Sequence, residues 1–547
     1  MSASEKLACM NSEVSGRHTA HLDTFTAERL PPRDSWPDLL SVPGTVYPER
    51  INACHALLDE TIARHGENRT AFIADDGVYT YGELLDKVQR VSHVLTDMGM
   101  QPGNRVLLRG PNNAWLVISW LAVLRAGGVV VTTIPLLRAG ELTPIVEVSE
   151  PQFAIVDHRF TLEWDQVSNF TGTTLIFGGD APDRLNAVAE GARADFEPVS
   201  TAATDIALLA FTSGTTGRPK ATMHSHHDVL AIADTFSAHV VKPTPDDVFA
   251  GSPPLAFTFG LGGLVIFPMR VGASSVLLES GSPPLLLAAI AQHHITALFT
   301  APTAYRAMLP LLPDHDVSSL RRCISAGETL PEATWQAWFA ATGVPLIDGI
   351  GATEMLHIFI SAADEDIVPG STGKVVPGYE AVVLDENLTP VQSGVPGRLA
   401  VRGPTGCRYL ADDRQGVYVQ GGWNITGDIY TCDEAGYFRY LARADDMIVS
   451  SGYNIAAPEV ENALLTHSAV AEVAVVGEPD VDRGMVVKAF VVLLAGNNGD
   501  DAMRTELQNH VKCVIAPYKY PRQIEFATEL PKTTTGKLQR FRLKGGT

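Results

Sequence analysis

From residue 53 onward, short apolar runs rich in β-branched residues alternate with helical patterns. Residues 105–108, 129–131, 153–156 and 174–177 make one series of expected strands, and 275–278, 297–299 and 322–325 make a second. Strands spaced by helix-length segments pair in parallel, so the pattern predicts an α/β chain of mostly parallel, helix-covered sheets. The most apolar stretch, 115–136, is interrupted by Arg125, Gly127 and Gly128. It predicts a buried helix turning into a strand, because a membrane span needs about 20 consecutive apolar residues. Around 380–401 the texture changes to short alternating strands with Gly and Pro turns, predicting a small β-barrel-like layer. Beyond Arg443 it becomes a compact α+β unit, whereas the first 50 residues are polar, Pro-rich and expected to wrap the surface.

At 547 residues the chain exceeds one hydrophobic core, so two or more domains are expected. Its 41 Lys and Arg against 62 Asp and Glu leave a net charge of −21, which repels a phosphate backbone and argues against nucleic-acid binding. Six cysteines are scattered without a CxxC pair, and no signal peptide is visible. Both suit a cytoplasmic protein with reduced thiols and no membrane partner.

An acidic protein that holds phosphate needs local positive charge. The run 206–211 reads as a buried strand and leads into Thr212-Ser213-Gly214-Thr215-Thr216-Gly217-Arg218-Pro219-Lys220. Glycines let the backbone turn tightly, successive N–H groups form an anion nest, and hydroxyls with a lysine suit a nucleotide triphosphate. This is not a Walker loop: Gly214 and Gly217 lie three apart, and Lys220 is followed by Ala221. On composition alone, an ordinary polar turn remains open.

Pro531-Lys532-Thr533-Thr534-Thr535-Gly536-Lys537 presents a lysine after a glycine at a polar turn, the alternative being a solvated basic tail with Arg540, Arg542 and Lys544. His224, His226 and His227 invite a metal reading. However, His-x-His is common by chance, Asp228 is the only acidic neighbour and no cysteine is close, so no zinc site is expected.

Taken with Gly351-Ala352-Thr353-Glu354, Trp423-Asn424-Ile425-Thr426-Gly427-Asp428 and Arg443-Ala444-Asp445-Asp446, the order of these motifs resembles the adenylate-forming superfamily of acyl- and aryl-CoA synthetases from about Tyr79 to Lys544. The resemblance implies an N-terminal domain, 1–443, of helix-covered sheets plus the small β-layer, and a mobile α+β domain, 444–547, hinged at Asp445. It implies ATP, Mg2+ and CoA as partners in converting an acid to an acyl-adenylate and then a thioester.

In that frame Thr212, Ser213, Gly214, Thr215, Thr216, Gly217 and Lys220 hold the triphosphate. Thr353 bonds the α-phosphate and Glu354 ligates magnesium; a helix-start carboxylate is the alternative for Glu354. Ile350, with Gly327 and Glu328 opposite, lines the adenine, Asp348 and Gly349 belong to the same cofactor-binding set, and Ile350 stands where relatives often carry a stacking tyrosine. Asp428 and Arg443 bond the ribose. Lys537 bridges carboxylate and α-phosphate, then leaves as the small domain turns and brings Ser451, Gly452 and Tyr453 to a pantetheine tunnel.

The acid pocket is expected from Phe257, Thr258, Phe259, Ala326, Gly351 and His357, an aromatic and small set that suits a flat aromatic acid. Core packing is the alternative for one of the two phenylalanines, and His357 is expected to face the ring. The strings 349–357 and 516–522 resemble the benzoate-CoA ligase branch, and 403–410 with 448–455 resemble 2-aminobenzoate-CoA ligases most. Two other readings stand beside it: a stand-alone aryl-acid adenylation enzyme that loads a carrier protein, and a nucleotide-binding regulator without catalysis. A homodimer is compatible with either enzyme.

Overall fold

The computed structural model describes residues 19–212, 219–444, 447–450, 453–480, 484–515, 517–532 and 538–543. Among them the chain forms four sheets. A six-stranded sheet runs in the order Thr173–Phe177, Phe153–Asp157, Arg105–Arg109, Val129–Thr133, Ile206–Thr212 and Lys220–Ser225. Its strands are parallel except the last, which returns antiparallel from Ile206–Thr212. Val106, Leu107, Val130, Val131, Ala154 and Ile155 are wholly buried. Burial on both faces explains why these strands read as continuous apolar runs. The apolar stretch from 115 becomes helix Ala114–Arg125, capped by Asn113, followed by strand Val129–Thr133.

A nine-stranded sheet has the order Lys374–Val375, Ile358–Ser361, Leu346–Gly351, Arg322–Ser325, Ala297–Thr300, Val248–Gly251, Ser274–Val276, Thr70–Ala74 and Gly77–Thr80. Its centre is parallel and its edges are antiparallel. Every strand expected in the two series is present. The one expected over 275–278 is shorter, Ser274–Val276.

The β-layer is a five-stranded antiparallel sheet of Glu380–Leu384, Gly397–Arg402, Trp423–Cys432, Val419–Gln420 and Phe438–Arg443. The N-terminal segment ties it to the six-stranded sheet. Ala20 N–H donates to Asp205 at 2.9 Å, while Asp38 and Leu40 N–H donate to Gly422 and Gly403 carbonyls, each at 2.9 Å.

The fourth sheet contains Tyr453–Ala456, Met447–Ser450, Gly484–Leu493, Val470–Asp480 and Gln523–Phe526. Helices Ala457–Leu465 and Asp501–Val514 bury Val460, Leu464, Leu507 and Val511 in its core. The architecture is therefore a large α/β N-terminal part and a small α+β C-terminal one. Among the described residues, no helix is long and apolar enough to cross a membrane.

Candidate active site

Thr212 and Lys220 face each other at the base of the hairpin that joins the last two strands of the six-stranded sheet. Ser213, Gly214, Thr215, Thr216, Gly217 and Arg218 lie outside the described residues. Thr212 Oγ1 is buried and makes no hydrogen bond to the described residues. Lys220 Nζ lies 3.1 Å from Glu354 Oε1 and 4.5 Å from the centre of the Tyr409 ring. The lysine donates to the Tyr409 hydroxyl, which in turn donates to Glu354. Burial, reinforced by the Glu354 charge, pushes the Tyr409 hydroxyl far above its ordinary range, so it remains a donor.

Glu354 sits in the short 3-10 turn Thr353–Met355, just after strand Leu346–Gly351. Its backbone is gripped from two distant segments. His224 Nε2–H donates to the Thr353 carbonyl at 2.8 Å, and Thr405 Oγ1–H donates to the Met355 carbonyl at 2.7 Å. Leu356 then takes φ +66°, an uncommon conformation for a branched residue that persists where the surroundings over-determine it.

The three neighbouring histidines are held as neutral groups. Burial, with Arg408 adding to it, lowers His224 to about 3, and burial lowers His226 to about 3 and His227 to about 4. His226 Nδ1 accepts from Ala53 N–H at 3.1 Å, and the His227 ring meets Tyr47 edge-on at 4.9 Å.

His357, three residues beyond Glu354, is caged by aromatic rings. Its centroid lies 4.6 Å from Phe267, 5.2 Å from Phe236 and 5.8 Å from Phe259. A Cβ on Gly262 would come within 2.4 Å of this ring, so the helix carrying residue 262 can approach only as glycine. Neither ring nitrogen has a hydrogen-bond partner of good geometry among the described residues, the Phe259 backbone being the one group that favours the charged ring. Burial lowers its pKa to about 3.

Of the other residues named for the acid pocket, Ala326 belongs to the same buried core, and Phe259 packs on Phe299 at 5.6 Å. Phe257 is instead 39% exposed, just before the short helix Thr258–Leu261. Core packing thus describes Phe259 and not Phe257. Gly351 is exposed at the strand end, and its Cβ would strike the His357 backbone at 2.8 Å.

Strand alternation sends Gly349 towards Ile358 and Asp348 to the other face. There Asp348 borders a small cavity with Leu330, Trp335, Ser371 and Thr372, and its Oδ1 has no hydrogen-bond partner among the described residues. Burial raises its pKa to about 8. Ile350 is half-buried against the main core, and Gly327 takes φ +88° just before Glu328.

Asp428 and Arg443 are cross-strand partners, with Arg443 Nη1 2.9 Å from Asp428 Oδ1. Asp445, Ser451, Gly452 and Lys537 lie outside the described residues, and of Tyr453 only its place at the start of strand Tyr453–Ala456 is described. The flanks of Lys537 are described: Lys532 and Leu538 form an antiparallel bridge, and Gln539 N–H donates to the Pro531 carbonyl at 2.8 Å. Lys532 pairs with Glu472 and Arg540 with Glu461, each at 2.7 Å. Arg540, one of the three cations of the basic-tail alternative, is thus ion-paired.

Tyr409 and Tyr418, the two rings beside Lys220, were not among the residues expected here, nor was His224 expected at the Thr353 carbonyl. The one signal for Tyr409 was its place in the 403–410 string. For His224 it was the unexplained His-x-His spacing.

The loop base, the carboxylate and the cross-strand Asp–Arg pair are the places where the motifs expected of a nucleotide site fall. A family model for AMP-binding enzymes matches residues 58–409, and one for the AMP-binding enzyme C-terminal domain matches 459–537. The chain belongs to the AMP-binding enzyme family. It is 36% identical over 512 residues to a benzoate–CoA ligase of Thauera aromatica, covering 92% of this chain and 97% of the other. The crystal structure of an anthranilate CoA ligase in complex with anthranoyl-AMP matches with a TM-score of 0.87 at 35% identity, covering 91% of this chain and 97% of that one. A benzoate CoA ligase from Burkholderia xenovorans matches with a TM-score of 0.83 at 32% identity, covering 90% and 100%.

Proposed function

We propose that the chain is an ATP-dependent aryl-CoA ligase that joins an aromatic carboxylic acid to CoA through an aryl-adenylate. The observation that carries this reading is one continuous segment, 349–357. One end presents Glu354 to the phosphate-loop lysine at 3.1 Å, and the other places His357 in an aromatic cage. In this reading the nucleotide phosphates lie at one end of the segment and the aromatic ring of the acid at the other. The likeness to ligases named for benzoate and anthranilate supports the same acid class, and supports CoA over a carrier protein as the thiol.

In the first step a carboxylate oxygen attacks the α-phosphorus of ATP, the bond to the β-phosphate oxygen breaks, and pyrophosphate leaves. Thr212, Lys220 and the hydroxyl and glycine residues 213–217 receive that growing charge, and Lys537 neutralises the carboxylate and α-phosphate that would otherwise repel. Thr353 bonds the α-phosphate, and Asp428 with Arg443 bonds the ribose. In the second step the CoA sulfur attacks the acyl carbon, the bond to AMP breaks, and the thiol proton is released.

Glu354 fits magnesium, which takes one or two protein carboxylates with phosphate oxygens and water. When bound it would neutralise phosphate charge. We place the domain boundary at 443/444, between the two family matches, and 2-aminobenzoate first among the acids. A neutral His357 has an acceptor nitrogen free for an ortho amine or hydroxyl.

Pyrophosphate release and CoA-thioester formation, scored over benzoate, 2-aminobenzoate, hydroxybenzoates and a straight-chain acid, test the reading. Aromatic acids should give both products in the presence of CoA. A preference for the straight-chain acid would refute the pocket reading, and adenylate without thioester would point to a carrier protein.

A further inference from the structure

Three histidines follow the phosphate loop, and the proposed chemistry uses none of them. His224 is the one that reaches the site. It lies in strand Lys220–Ser225, four residues beyond the lysine that meets Glu354, and it is wholly buried. Its Nε2–H donates to the Thr353 carbonyl at 2.8 Å. A carbonyl can only accept, so this bond places the ring hydrogen on Nε2 and leaves Nδ1 bare. Nδ1 has no hydrogen-bond partner among the described residues; the nearby Asp228 carboxylate is 3.9 Å away and already bonded by Arg408. Asp228 in turn caps its own helix through Ser225 N–H at 2.9 Å. The imidazole is therefore held on a rigid strand, with a single directional bond to the backbone beside Glu354.

We infer that His224 is a positioning residue: its bond to the Thr353 carbonyl sets the Thr353–Glu354 turn so that hydroxyl and carboxylate meet the magnesium–ATP complex. The bond is intramolecular and dry, so it restrains the turn more than the same bond would in water. Small misplacements of groups at a reacting centre cost up to about 100-fold in rate, which makes one such bond worth keeping. Thr405 restrains the far end of the turn and cannot replace His224, because it holds Met355 and not Thr353.

This inference rests on the proposed aryl-CoA ligase reading, and its test separates the two. His224→Phe keeps a ring without the donor, and His224→Gln restores an N–H. With the first variant, ATP-dependent adenylate formation should fall about 10- to 100-fold while KM for the acid changes less than about threefold. The second variant should recover most of that loss, and both should convert pre-made aryl-adenylate and CoA at the parent rate. Calorimetry without acid should show that magnesium strengthens ATP binding less in His224→Phe than in the parent or His224→Gln. Should His224→Phe not fold, Gln against the shorter Asn carries the comparison, with only Asn losing rate. Equal losses in donor and non-donor variants, an unchanged rate in His224→Phe, or an equal loss in the thioester step would each overturn the inference. A parent enzyme that adenylates no aromatic acid would refute the functional reading alone, since the magnesium effect on ATP binding still reads the His224 contact.

Discussion

Arg443 stands directly across the antiparallel pair from Asp428, its Nη1 2.9 Å from the carboxylate, at the last strand before residue 444. The Arg443 side chain is 51% exposed, so the pair itself contributes little to stability. Its value lies in what the carboxylate can accept. Asp428→Asn should leave the melting temperature within a degree or two and raise KM for ATP about tenfold, the loss of charge-assisted bonds to a sugar. KM for the aromatic acid should stay near the parent value. An unchanged KM for ATP would remove Asp428 from the nucleotide site.

Tyr409 couples Lys220 to Glu354, and its phenylalanine variant keeps the ring while removing both bonds. Glu354 is then buried with the lysine alone, which should cost about 1–3 kcal/mol in a urea titration. Magnesium titrations of adenylate formation should show a higher half-saturating concentration, because the carboxylate is less well oriented. Parent-like magnesium dependence would mean that Tyr409 only packs.

Lys537→Ala should separate the two half-reactions. Adenylate formation from ATP should drop by about 100- to 1,000-fold, as when a preorganised charge-stabilising group is lost. Thioester formation from pre-made aryl-adenylate should survive. Loss of both to the same degree would refute a lysine that acts in one half-reaction only.

Acid should destabilise the fold through its buried histidines. His224, His226 and His357 titrate near 3 and His227 near 4, against an ordinary 6.5. Below about 6.5 the unfolded chain binds protons that the folded one refuses, so stability is full above that value and falls towards 3–4, by up to about 1.4 kcal/mol per pH unit for each ring. Asp348 has the opposite sign: at about 8 against 3.8, it keeps a proton when folded that the unfolded chain sheds as pH climbs between them. Melting curves should fall steeply from pH 6.5 to 5, and Asp348→Asn should raise the melting temperature at pH 8 but not at pH 4. A flat profile between pH 7 and 5 would contradict the histidine assignment.

The strands were legible in the sequence because fully buried parallel strands leave contiguous apolar runs, such as 129–131 and 153–156. Lys220, Glu354, Asp428 and Arg443 were legible because they stand in short motifs whose order is distinctive. The contacts between them were not. Tyr409 reaches Lys220 across 189 positions, and His224 reaches Thr353 across 129. No local period or spacing encodes such pairings; they follow from two sheets meeting. The small cavity beside Asp348 was invisible for a related reason, since its walls come from 330, 335 and 371 as well as from its own strand.

The grip on Thr353–Met355 from residues 224 and 405 has a consequence for how activity is acquired and lost. The turn is complete only once the six-stranded sheet and the segment leading out of the β-layer have docked around it. A chain ending before residue 403 could still form most of its parallel sheet and yet possess an unset turn. Conversely, early loosening of that docking under heat or denaturant should silence turnover while most secondary structure persists. Turnover is then a sensitive gauge of assembly between layers, and circular dichroism a blunt one.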